Sequence, residues 1–319
     1  MSEKRPVRGI RAAKRQKSTR DTLSVPVATN GGDLAELDGL YSQIDDQHPD
    51  YQLILNGIVH ECDSMLRQRA EDAELQPLNG RFHYIYADVL SKLAAVVSNG
   101  DETPLDYMNA AIERATTGLD AKDYRNELQG LVGCLYALRA LYACSDKKYT
   151  AFDEDIAKAL ETLESFHTLK HGDEAAQYIL GAALAKGDPE TLQKTIDSLE
   201  KLANSNTESY HVPNALGEYY FEQAMDLVND DEDQRDEDGR ILEWLKKALS
   251  KLEAAYKVDK SDSKLIMTLA ETALNLGNYV DETEDDEYYY SKSVAYFKEY
   301  ESMTGKDCSE YYKDLENVD

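Results

Sequence analysis

Apolar residues recur every three or four positions through most of this chain. Strict alternation is hard to find, so the pattern predicts helices and no sheet. After Asp33, a candidate N-cap, Leu34, Leu37, Leu40, Tyr41 and Ile44 form a first stripe. Pro49 interrupts it, and a second helix carries Leu53, Leu55, Ile58, Val59, Cys62 and Leu66. From about residue 82 the helices fall into pairs. Tyr84–Val97 is ended by Asn99-Gly100, and Thr103-Pro104 opens its partner with Leu105, Met108, Ile112 and Ala115 on one stripe. Tyr124–Cys144 pairs with a helix striped by Ile156, Leu160, Leu163 and Phe166. Ala175–Ala185 is followed by Gly187-Asp188-Pro189, which supplies a helix stop, a cap and a first-turn proline for Leu192, Ile196, Leu199 and Ala203. Val212–Val228 pairs with Ile241–Tyr256. Lys264–Leu276, ended by Gly277-Asn278, pairs with Tyr288–Met303, and a short helix covers Ser309–Leu315.

The count is about twelve helices in about six pairs. First-helix starts near 82, 124, 174, 212 and 262 lie roughly 38 to 50 residues apart, longer and less regular than the roughly 34-residue tetratricopeptide unit. Leu216-Gly217 with Tyr220 nevertheless has that unit's L-G-x-x-Y spacing, and Leu180-Gly181 with Leu184 is similar. The expected fold is all-α, an irregular α-solenoid of helix pairs resembling tetratricopeptide or HEAT arrays. Such a stack buries its core between neighbouring repeats and leaves a long face for a partner. The expected organisation is a disordered basic tail over 1–32 and a helical repeat domain over 33–319.

Composition agrees: of 319 residues, 42% are hydrophobic and only 17 are Gly and 7 Pro, so breakers are few. No run approaches the roughly 18 apolar residues of a membrane span, and no apolar core of a signal peptide follows Met1. Net charge changes the picture more. It is −27 overall, yet residues 1–20 hold eight basic residues and one acid, a local +7 that leaves −34 on the other 299. A body that acidic repels phosphate backbones and anionic membranes and attracts basic proteins, so neither direct nucleic-acid nor membrane binding is expected. Cys62, Cys134, Cys144 and Cys308 form no C-x-x-C and read as thiols in a reducing compartment. Two acidic runs, Asn229–Gly239 and Asp281–Glu287, sit between the helices of a pair. With Gly239 as the central glycine the first would place Gln234 and Leu245 at ligand positions of a calcium loop, so that pattern fails and a solvated loop is the reading.

Catalytic chemistry finds little support. Phosphate loops, G-x-S-x-G and H-E-x-x-H are absent, and no cofactor or metal is expected. His60-Glu61-Cys62-Asp63 points in different directions on a helix, with Cys62 on the apolar stripe and the others at its edge. His167 and His171, four apart near a helix end, fit a dipole-capping role at a C-terminus better than a metal site. Tyrosine is overused, 22 against 5 Phe and 1 Trp, with Tyr84, Tyr86, Tyr210, Tyr219, Tyr220 and Tyr288–Tyr290 on the paired helices. Half-buried core edge is the plain reading and a peptide groove the functional one. In the tail, Lys14-Arg15-Gln16-Lys17 fits a monopartite nuclear import signal, with Lys4-Arg5 upstream. A solubilising or RNA-binding arm is the alternative.

Lys4-Arg5-Pro6 with the basic stretch to Lys17 resembles the opening of the fungal enhancer of translation termination family. The segment Leu53-Ile54-Leu55-Asn56-Gly57-Ile58-Val59-His60-Glu61-Cys62-Asp63 is similar to that family's most recognisable stretch, and Phe82-His83-Tyr84-Ile85-Tyr86-Ala87 continues the similarity. The matches are strongest over about residues 1–95. The family includes the fission-yeast negative regulator of the Ofd oxygenase. The resemblance implies a helical repeat protein without enzymatic activity, resident in nucleus and cytoplasm. Its implied partners are a prolyl hydroxylase of the iron/2-oxoglutarate class, that enzyme's basic small-subunit ribosomal protein client and a nuclear import receptor. Its implied roles are import of the client, oxygen-linked regulation and accurate translation termination. The alternative is a co-chaperone clamping acidic chaperone tails, for which the paired helices offer few cations, such as Lys92, Arg139, Lys186 and Lys264. Expected partner contacts are Glu218, Tyr219 and Glu222 on one first helix and Glu127 on another.

Overall fold

The computed structural model describes residues 34–315, apart from 73, 98–102, 145, 147–148, 167–169, 206–207, 231–238, 281–285 and 314. The basic tail with Lys4, Arg5, Lys14, Arg15 and Lys17, the candidate cap Asp33, His167 and most of both acidic runs lie outside the described residues. Among the described residues are thirteen helices and no strand. They are α1 (Ala35–Tyr41), α2 (Tyr51–Glu71), α3 (Gly80–Val96), α4 (Pro104–Gly118), α5 (Arg125–Ala143), α6 (Phe152–Phe166), α7 (Lys170–Lys186), α8 (Pro189–Ser205), α9 (His211–Asp230), α10 (Arg240–Val258), α11 (Ser263–Tyr279), α12 (Asp286–Thr304) and α13 (Ser309–Tyr312). None is long and apolar enough to cross a membrane.

The chain divides into two compact units, residues 1–172 and 173–319, with the boundary inside the first turn of α7. In the first unit α3 packs on α4 and α5 on α6, while α2 packs on α3. Leu55, Ile58 and Cys62 from α2 meet Phe82, Ile85 and Leu90 from α3 in one core with Met108, Leu128 and Leu131. In the second unit α9 packs on α10 and α11 on α12. The pairing follows the expected irregular helix-pair architecture.

Local chemistry explains the helix starts. Thr103 closes a capping box with Asp106 before Pro104, satisfying backbone N–H groups that the first turn leaves unpaired. Asp188 accepts from the Thr191 N–H at 2.9 Å, after Gly187 has turned the chain at φ 68°. Asp262 accepts from the N–H groups of Lys264 and Leu265. Gly217 is small for a packing reason: a Cβ there would lie 2.6 Å from Leu252, so only glycine lets α9 and α10 approach this closely.

Among the boundaries that differ from the sequence reading, three have a visible cause. The third helix begins at Gly80, four residues before Tyr84, because the Asn79 side chain caps the Phe82 N–H and the Asp123 carboxylate accepts from the N–H groups of Gly80 and Arg81. Gly277-Asn278 does not end α11, which runs on to Tyr279. Gly277 is there because a Cβ would meet the Tyr290 ring at 2.5 Å. His171 begins a helix rather than ending one, so the C-terminal dipole role does not apply. Its Nε2 instead lies 2.9 Å from the Tyr84 hydroxyl.

Candidate partner-binding cleft

The expected contact residues of α9 come together. A cleft of about 230 Å³ in the second unit is lined by α7, α9 and the start of α11. Leu180 and Tyr219 form its buried floor beside Gly181 and Ala215, and Leu184 stands exposed at the rim. Glu218 and Glu222, one helical turn apart, supply its acidic wall. Lys264 crosses from α11, and its Nζ lies 2.7 Å from a Glu218 oxygen. That hydrogen bond holds the Lys264 ammonium above its ordinary value. Partial desolvation, then the neighbouring Glu218 charge, pushes the Glu222 carboxyl up. Burial pushes the Tyr219 phenol up. A cleft of these walls can hold a cation with an aliphatic stem, and it repels an anion.

Sequence periodicity placed Glu218, Tyr219 and Glu222 on one helix but did not bring Lys264, Leu180 or Leu184 to it. Those residues lie more than thirty positions away, and only tertiary packing joins them. Glu127 stands exposed in the first turn of α5, in the other unit, and does not line this cleft.

The family-like residues of α2 separate by role. Asn56 spends its amide on the Gln52 carbonyl of its own helix at 2.9 Å, and His60 is exposed. Burial, then the charge of Glu36, pushes the Glu61 carboxyl up. Cys62 is fully buried, and burial pushes its thiol up, which makes it a packing group and a poor nucleophile. Asp63 accepts a 2.5 Å hydrogen bond from the Tyr86 hydroxyl and so ties α2 to α3. The segment's chemistry is that of a helix–helix seam.

The cations that would serve a chaperone-tail clamp are mostly engaged within the molecule. Lys92 holds Asp88 at 2.5 Å, Arg139 holds Asp155 at 2.6 Å and Lys264 holds Glu218.

A family model described as nuclear pore complex subunit Nro1 matches residues 3–133. Enhancer of translation termination 1 of Saccharomyces cerevisiae is 26% identical over 352 residues, covering 86% of this chain and 85% of that protein. The protein of the same name from Scheffersomyces stipitis is 27% identical over 180 residues, covering 52% of this chain and 40% of its own length. That of Vanderwaltozyma polyspora is 40% identical over 103 residues, 30% of this chain and 25% of its own. Among solved structures, Nro1, a hypoxic regulator of sterol synthesis described as a nuclear import adaptor in S. pombe, superposes with a TM-score of 0.52 at 19% identity. That match covers 90% of this chain and 93% of the other, and it is a likeness of fold.

Proposed function

We propose, from the resemblance to the enhancer of translation termination family that these matches show, that this chain is a non-enzymatic adaptor that carries a basic protein and is itself imported into the nucleus. The observation that carries the reading is the charge division: a helix-pair body at −34 and a leader segment at +7. An acidic scaffold attracts and shields a lysine-rich client at long range, and its own tail supplies the cationic signal the client's masked surface would no longer present. The proposed client is a basic small-subunit ribosomal protein, and the proposed second partner is the prolyl hydroxylase of the iron/2-oxoglutarate class that acts on it. Through these two partners the adaptor would act in translation termination and in oxygen-linked regulation, in cytoplasm and nucleus. The fold likeness to a structure described as an import adaptor supports this, as does the cation-accepting cleft.

The test is affinity purification of the full chain from cells at normal and low oxygen, with both partners quantified. Recovery of the ribosomal protein, with hydroxylase varying with oxygen, is the expected result. Absence of both ends the proposal. Deleting residues 1–20 of a fluorescently tagged chain is expected to abolish nuclear enrichment; an unchanged distribution removes the import role of Lys14, Arg15 and Lys17.

A further inference from the structure

We infer that the cleft between α7, α9 and α11 is a pocket for one lysine or arginine side chain of the basic client, and that Lys264 sits at Glu218 as an internal stand-in which the client displaces. This rests on the adaptor reading and names its contact.

The pocket's size comes first. At about 230 Å³ it falls below the roughly 300 Å³ at which sites for drug-sized ligands begin, and it suits a single long side chain. Its chemistry is amphipathic. Leu184 at the rim and Tyr219 at the floor would flank an aliphatic stem, while the carboxylates of Glu218 and Glu222 await a charged head. Two polar groups at the pocket are unspent. Tyr219 is 6% exposed, yet its hydroxyl makes no hydrogen bond among the described residues. Glu222 makes no hydrogen bond or ion pair among the described residues, although Glu218 four positions away repels it. One internal cation therefore serves two carboxylates and satisfies only one of them. A guest ammonium or guanidinium placed between Glu218 and Glu222, donating also to the Tyr219 hydroxyl, would answer all three groups.

Lys264 is also poised to leave. Its side chain is 76% exposed, so the ion pair is a surface pair of small net worth. It occupies the second position of α11, where the positive end of the helix disfavours a cation. Once released, its stem reaches open water. Charge selects the occupant: the body carries −34, so cationic segments reach the rim faster than neutral or acidic ones.

The experiment measures binding of a fluorescein-labelled decapeptide of alternating lysine and leucine to the full chain, by anisotropy at low salt. Lys264→Met removes the stand-in's charge, and Lys194→Met removes one cation from the exposed Lys194–Glu190 pair of α8 as a charge control. If the stand-in occupies the pocket about 90% of the time, the apparent Kd falls up to ~10-fold in Lys264→Met. Lys194→Met should stay within about twofold, since one remote surface charge is largely screened. Glu222→Gln, at the exposed rim where folding is not at stake, should weaken binding about tenfold, the loss of one charge-assisted contact. Equal affinities for the two lysine variants, or an unaffected Glu222→Gln, overturn the pocket assignment. Intact basic ribosomal protein, titrated in parallel, reports the adaptor reading separately. Its binding with no Lys264 effect sinks the pocket alone, and its failure to bind sinks the reading beneath it.

Discussion

At the residue scale, the tyrosine excess has a physical cause. The chain has 62 acids and only 35 lysines and arginines, so carboxylates outnumber charged donors. Phenols fill the gap. Tyr41 donates to Asp88 at 2.7 Å, Tyr86 to Asp63, Tyr220 to Glu200 at 2.6 Å, Tyr256 to Glu299 and Tyr312 to Glu301 at 2.9 Å. Each ring joins the apolar packing while its hydroxyl donates to a carboxylate, beside a lysine at Asp88 and Glu200, which phenylalanine could not do. Tyr220 shows the stakes: it is nearly buried, and Glu200 is shared between its hydroxyl and Lys251. Tyr220→Phe should therefore lower stability by about 1.5 kcal/mol, a charge-assisted bond, in urea denaturation at neutral pH. These phenols also set an alkaline limit. Burial, then the bond to Glu299, pushes Tyr256 up to about 12, and burial, then the charge of Glu253, does the same for Tyr296. The folded state holds these protons more tightly than the unfolded chain, whose phenols ionise near pH 10. Their contribution is whole below about pH 10 and fades as pH climbs toward 12. Thermal midpoints should fall across that window, and Tyr256→Phe should reduce the slope; a flat profile contradicts the assignment.

At the scale of elements, one buried clasp holds the α5–α6 pair. Asp155, fully buried in the first turn of α6, receives two bonds from the Arg139 guanidinium of α5, at 3.0 and 2.6 Å, and one from the Tyr149 hydroxyl. Removing one side of such a pair strands the other charge away from water. Asp155→Ala should cost about 3 kcal/mol or more by denaturant titration. A loss under about 1 kcal/mol, the worth of a surface pair, would show that water reaches the arginine freely. The helix pairs themselves were legible because apolar periodicity and punctuation such as Thr103-Pro104 and Gly187-Asp188-Pro189 act locally. What misled were glycines and histidines whose reasons are tertiary. Gly277 looks like a stop in sequence and is in fact a notch for Tyr290. His171 looks like a C-terminal cap and is a partner of Tyr84. The cleft was half legible for the same reason: Glu218, Tyr219 and Glu222 follow one helical turn, whereas Lys264 arrives from another element.

At the scale of the whole molecule, salt should act in opposite directions on two properties. Self-repulsion within the −34 body is relieved as ionic strength rises, so the thermal midpoint should increase between about 10 and 300 mM salt. Affinity for a basic client should decline over the same range, since screening removes the attraction that gathers it. An affinity indifferent to salt would mean that shape, and not charge, captures the client. A last consequence follows from the small helix α13. Its Tyr312 and the stacked ring of Tyr311 lie on Phe297 of α12, with Cys308 and Ala270 beneath, closing over apolar surface that α11 and α12 would otherwise show to water. An apolar helix face left open to water invites association. Cutting the chain after Thr304 would turn that covered patch into a sticky end, and filament-like self-association, visible as concentration-dependent light scattering, is the behaviour to watch for in any shortened version.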